Sequence, residues 1–81
     1  MRGKLTVGNW KMHGGLAENA GRLASLASGW RAGRAQAGRA LAVCVPFPYL
    51  AQAREALAGS EVGWGAQDVS AHAGGAYTGE V

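Results

Sequence analysis

Apolar and polar positions alternate at the start of the chain. Lys4–Asn9 (KLTVGN) sets Leu5 and Val7 two apart, the period of a half-buried strand, before Gly8 weakens it. Gly14 and Gly15 mark a loop. Apolar residues then fall at Leu16, Ala20, Leu23, Leu26, Ala27 and Trp30, which is helical spacing. Gly29 lies near the end of that pattern, and 29–38 reads equally as a Gly/Ala/Arg connector or as an extension of the helix. The run 40–45 (ALAVCV) is continuously apolar and of strand length, the pattern of a strand buried on both faces of a parallel sheet. Pro46-Phe47-Pro48 ends it. Segment 49–58 (YLAQAREALA) is helical, with Leu50, Ala53, Ala56 and Leu57 on one face, and Gly59-Ser60 stops it. Segment 61–66 (EVGWGA) predicts a third strand, weakened by two glycines. Beyond Asp68 there is no periodicity, and the chain reads as loop.

Strands alternating with helices argue for an α/β fold built from βαβ units on a parallel sheet. Such sheets need cover on both faces, and two helices cover only one. The expectation is an incomplete layer arrangement, cut short at Val81. Composition points the same way. The 81 residues suffice for one small domain, yet 17 of the apolar residues are alanine. Leu, Ile, Val and Phe together number only 14, a thin supply for a core, while a net charge of +3 is too small to force disorder. The single cysteine, Cys44, offers no disulfide staple and suits a reducing, cytoplasmic setting.

Other classes fall away. No apolar run is long enough to span a membrane, and no apolar stretch follows the basic Met1-Arg2-Gly3-Lys4 start as in a signal peptide. Arg22, Arg31, Arg34 and Arg39 cluster loosely, but no aromatic is interleaved on a strand to stack bases. A solvated basic helix face is the expected reading, with no nucleic-acid partner.

Chemistry concentrates in Val7-Gly8-Asn9-Trp10-Lys11-Met12-His13-Gly14, at the C-terminal end of the first strand, where α/β folds place their sites. On a strand, residues two apart share a face, so Asn9 and Lys11 are expected to point together while Trp10 points away. An ammonium beside an amide donor suits a small oxyanion or phosphate ester. The pair equally suits an exposed strand-end lysine beside an asparagine turn residue, and the pattern by itself does not separate the two.

Three collinear segments add to this. Gly8-Asn9-Trp10-Lys11-Met12 resembles the N-terminal signature of the triosephosphate isomerases. Cys44-Val45-Pro46-Phe47-Pro48-Tyr49-Leu50 resembles the end of that family's second strand and the start of its second helix. Gly65-Ala66-Gln67-Asp68 with Gly75-Ala76-Tyr77-Thr78-Gly79-Glu80-Val81 resembles its third strand and third loop. The resemblance covers nearly the whole chain and implies that residues 1–81 are the first three strands and two helices of a (β/α)8 TIM barrel, an N-terminal third. It further implies a cytoplasmic enzyme of glycolysis and gluconeogenesis. Such an enzyme interconverts dihydroxyacetone phosphate and D-glyceraldehyde 3-phosphate through an enediolate, with no cofactor and no metal. Asn9 and Lys11 would bind substrate, and Lys11 would be catalytic by stabilising charge on the substrate oxygens. The family's histidine electrophile and glutamate base follow its fourth and sixth strands, beyond Val81, so the 81-residue chain is expected to be inactive alone. His13, His72 and Glu80 are not their equivalents. Two departures stand out: His13 and Asp68 each occupy a position where the family usually has asparagine.

The resemblance also implies a homodimer. The tip of loop 73–80, at Ala76, Tyr77, Thr78, Gly79 and Glu80, would reach a second copy, with Thr78 near that copy's Asn9 and Lys11. Met12 and His13 would line the receiving pocket. In an isolated chain the same segment reads as a mobile tail. Cys44 is expected to be a small apolar filler, and Trp30 and Trp64 to be packing residues. Two further readings remain: a non-enzymatic βαβαβ interaction module derived from an isomerase, and another phosphate-ligand barrel with the same opening.

Overall fold

The computed structural model describes residues 3–33 and 39–80. Strand β1 (Lys4–Asn9) leads into helix α1 (Leu16–Gly33). Strand β2 (Arg39–Cys44) follows, then a single 3-10 turn (Phe47–Tyr49), helix α2 (Leu50–Leu57) and the short strand β3 (Gly63–Gly65). The three strands form one parallel sheet in the order β1-β2-β3, with Val7 opposite Ala42 and Val43 opposite Trp64. This is the α/β arrangement expected for the N-terminal part of a TIM barrel.

Several boundaries differ from expectation. Strand β2 begins and ends one residue earlier than the apolar run, because Arg39 pairs with Lys4 and Cys44 with Asn9. Helix α1 runs through Gly29 to Gly33, so the helical reading of that stretch holds to Gly33, and 34–38 lies outside the described residues. Helix α2 starts at Leu50 because the two prolines first impose a 3-10 turn, in which the Tyr49 N–H donates to the Pro46 carbonyl at 2.9 Å. Strand β3 keeps only three of six expected residues.

The core lies between the helices and one face of the sheet. Leu23 of α1, Ala53 and Leu57 of α2, and Val43, Val45 and Val62 are buried together, with Trp10, Leu26, Trp30, Leu41 and Tyr49 packed around them. The opposite face is open: Leu5 and Val7 are 65% and 51% exposed, and Ala40, which pairs with Leu5, is exposed too. The expectation that 40–45 is buried on both faces is therefore corrected. Both helices sit on one side, so only Val43 and Val45 of this run are buried, while Leu41, Ala42 and Cys44 are half-buried.

The predicted helix faces are also narrower than expected. Leu16, Ala20 and Ala56 are exposed, because α1 and α2 present only their inner turns to the sheet. Trp30 packs on the core as expected, whereas Trp64 is 43% exposed because β3 is the sheet edge and leaves its ring without a second neighbour. Of the four arginines, the structure describes the side chains of Arg22 and Arg39. Arg22 lies 3.6 Å from Glu18 in an exposed pair worth little, and Arg39 opens β2. The side chains of Arg31 and Arg34 fall outside the described residues.

After α2 the chain is turned by Gly59, in the left-handed region at φ 75°, and by Ser60. The buried Ser60 hydroxyl donates to the Leu57 carbonyl at 2.6 Å and accepts from the Val62 N–H at 3.1 Å. A helix-end carbonyl and a strand-entry amide are thereby both satisfied. This turn delivers β3, and with it residues 66–68, to the same end of the sheet as Asn9.

Candidate functional site

Asn9 is the last residue of β1, and the Trp10 N–H continues the ladder by donating to the Cys44 carbonyl at 3.0 Å. There the strand stops. Lys11 takes φ 55°, a left-handed conformation uncommon for a residue with a side chain. The expectation that Asn9 and Lys11 share a strand face is corrected on this point. Lys11 lies in a turn, and its position is set by a side chain rather than by the pleat. The Asn9 Oδ1 accepts the Lys11 N–H at 2.7 Å, closing an Asx-type turn that offsets part of the cost of the positive φ.

A third residue locks this turn. Gln67, two residues beyond β3, donates from Nε2 to the Lys11 carbonyl at 2.7 Å. The same nitrogen lies 3.2 Å from the Cys44 carbonyl and 3.3 Å from Asn9 Oδ1. One amide group thus ties together the ends of all three strands. The sequence reading noted Gln67 only as part of a motif, because a glutamine 56 positions away gives no local signal of where its amide is spent. Cys44 likewise takes part through its carbonyl, with its thiol half-buried as a small filler. Asp68 Oδ1 accepts the N–H of Val69 at 2.8 Å, and among the described residues no hydrogen bond joins Asp68 to the Asn9 turn.

With Oδ1 of Asn9 occupied, its Nδ2 amino group has no hydrogen-bond partner among the described residues, and the Lys11 ammonium has neither an ion pair nor a hydrogen bond there. The arrangement presents a directional neutral donor and a compact cation, two residues apart, on a backbone that is held in place. Such a pair is matched to an oxyanion or a phosphate ester. Among the described residues no hydrogen bond or ion pair links Lys11 to His13, His72 or Glu80, and no cluster of potential metal ligands occurs.

The far end of the same loop is clamped from α2. The Tyr49 hydroxyl donates to the Gly14 carbonyl at 3.0 Å, and Gln52 Nε2 donates to the Leu16 carbonyl at 2.7 Å. Asn19 is fully buried; its Oδ1 accepts the Gly15 N–H at 3.3 Å and its Nδ2 donates to Gln52 Oε1 at 3.0 Å. Gly14 has φ 119°, and a Cβ there would stand 2.7 Å from Asn19 Oδ1, so glycine is required. Met12, 93% exposed, and His13 form the apex between the two clamps. Asn19, a polar residue on the buried face of α1, was missed because hydrophobic spacing ranks only apolar positions. Asn19→Ala empties a buried site, strands two part-buried partners and is expected to destabilise the fold by about 1–2 kcal/mol. The urea midpoint at constant m-value measures this; an unchanged midpoint contradicts the clamp.

Gln67 ties the start of the third loop to this turn, and among the described residues no hydrogen bond or ion pair joins the loop tip, 76–80, to it. Segment 66–80 contains no helix or strand, and Ala76, Tyr77, Thr78, Gly79 and Glu80 are all exposed. His72 stacks on Tyr77 with ring centroids 4.1 Å apart.

A family model described as triosephosphate isomerase matches residues 4–81. The chain belongs to the triosephosphate isomerase family. It is 66% identical over 80 residues to the triosephosphate isomerase of Bordetella pertussis, an alignment covering 99% of this chain and 31% of that protein. The enzyme of the same name from Cupriavidus necator is 63% identical over 81 residues, covering 100% and 31%. That from Ralstonia nicotianae is 60% identical over 80 residues, covering 99% and 30%. The chain therefore spans somewhat under a third of the length of the triosephosphate isomerases it matches. Within the family a parallel sheet with one open face follows directly, since closing a barrel requires eight strands. No helix among the described residues is long and apolar enough to cross a membrane.

Proposed function

We propose that residues 1–81 supply the first three strands of an isomerase barrel that interconverts dihydroxyacetone phosphate and D-glyceraldehyde 3-phosphate in the cytoplasm as a homodimer. The observation that carries this reading is the pair of donors, Asn9 Nδ2 and Lys11 Nζ, without hydrogen-bond partners among the described residues, on a turn locked by Gln67 in a chain of this family. In the proposed reaction a proton leaves the carbon beside the carbonyl, and negative charge grows on the carbonyl oxygen as the enediolate forms. An ammonium carried on a held backbone gains attraction as charge grows on that oxygen, which lowers the barrier more than it tightens substrate binding. Asn9, whose amide is oriented by the two bonds to its oxygen, holds the substrate in register with Lys11. The carboxylate that takes the proton and the electrophile that polarises the carbonyl are, by family resemblance, supplied from beyond Val81.

The third loop fits a second role. Its exposed tip, 76–80, is proposed to contact Met12 and His13 of a second copy, placing Thr78 near that copy's Asn9 and Lys11. Both partners in this contact are exposed here, and the Met12-His13 apex is held by clamps at each end.

The direct test joins this chain to the remaining part of the Bordetella pertussis enzyme, in place of the matched segment. The hybrid is expected to isomerise dihydroxyacetone phosphate, and the 81-residue chain alone to give no turnover in the same coupled assay. A folded hybrid without activity would remove the enzymatic reading and leave the βαβαβ interaction module in its place.

A further inference from the structure

We propose that the His72–Tyr77 ring stack is a brace that holds the third loop in its docking shape, which makes His72 a positioning residue for association between two copies of the chain. This rests on the loop's role as a dimer contact, stated above. Segment 66–80 has no helix or strand, and everything from 71 to 80 is exposed, so its shape has to come from its own side chains. Three observations show how. The two rings lie 4.1 Å apart at an interplanar angle of 13°, a stacked contact across five residues of chain. The His72 N–H donates to Ser70 Oγ at 3.0 Å, which fixes the entry to the loop. Gly75 has φ 133°, and a Cβ there would stand 2.8 Å from Tyr77 Cε2, so the tyrosine ring lies directly over a backbone that only glycine permits.

A shallow, open hollow of about 140 Å³ lies between Ser70 and Glu80, and Tyr77 remains 54% exposed. One side of the tyrosine ring is thus committed to His72 while much of its surface stays open to a partner. Docking a loose loop costs backbone freedom residue by residue, whereas a loop already closed on itself has given up that freedom before the encounter. The tip residues do the touching; His72 keeps them in place.

The experiment uses the hybrid protein and reads its monomer–dimer equilibrium by sedimentation, with circular dichroism confirming that each variant is folded. His72 is exposed and outside the core cluster, so its replacement leaves the barrel intact. His72→Ala is expected to weaken association about tenfold or more, because a twofold dimer loses one stack in each copy. His72→Phe keeps a flat ring and is expected to restore association to within about twofold. Association unchanged in His72→Ala overturns the brace, as does an equal loss in His72→Phe. Thr78→Asp puts a charge on the tip without touching the stack. If it dissociates the hybrid while His72→Ala does not, the brace alone fails; if it leaves association unchanged, the docking role of the loop fails with it.

Discussion

Replacing Lys11 by alanine in the hybrid barrel is expected to lower kcat by about a hundredfold or more, the scale of losing one preorganised charge-stabilising donor. The turn that carries Lys11 is held through backbone groups: its N–H bonds to Asn9 Oδ1 and its carbonyl accepts from Gln67 Nε2. Truncating the side chain leaves both bonds intact, so the loss reports the ammonium and not a collapsed loop. Lys11→Arg keeps the charge but replaces a compact ammonium by a planar fork that reaches further, and it should recover little of the loss. Substrate affinity should change less than turnover, since the attraction grows with the developing charge. A Lys11→Ala hybrid with unaltered kcat would remove Lys11 from the reaction.

Gln67→Ala is expected to lower kcat by about tenfold to a hundredfold, although Gln67 need not touch substrate. Its amide nitrogen meets the Lys11 carbonyl, the Cys44 carbonyl and Asn9 Oδ1 together. Without it, the left-handed Lys11 turn keeps only the Asn9 contact against the cost of its positive φ, and the ammonium samples a wider range of positions. Misplacement of a charge by about 1 Å is enough for an effect of this size. The informative comparison is the double variant Lys11→Ala/Gln67→Ala. If Gln67 acts through Lys11, the second substitution adds little to the first; full multiplication of the two losses would mean that Gln67 acts independently.

Much of the site was legible in local pattern, and the part that was not has a common cause. Asn9 and Lys11 stood out by type and by position at a strand end. How they are brought together did not, because the strand period was extended to Lys11, one residue past the last ladder bond at Trp10. Trp10 still bonds to Cys44, but the Asx-type turn at Asn9 then diverts the chain. Asn19 and Gln52 were passed over as polar residues in helices, yet their side chains meet each other and the loop backbone, across 33 to 36 positions of chain. Hydrogen bonds of that separation leave no period in the sequence.

By itself the sequence determined the order of elements, the parallel α/β class and the family. These rest on local preferences: apolar spacing of two or about three and a half residues, glycine and proline stops, and short runs of residue types that survive any change of viewpoint. Only the tertiary structure decided which face of the sheet is covered, where β3 ends, and that Lys11 is held in a left-handed turn by an amide from the far side of the sheet. It also decided that the third loop is closed by His72 on Tyr77. The reason is physical: burial and hydrogen-bond satisfaction are set by which elements lie side by side, and that is a property of the packed chain.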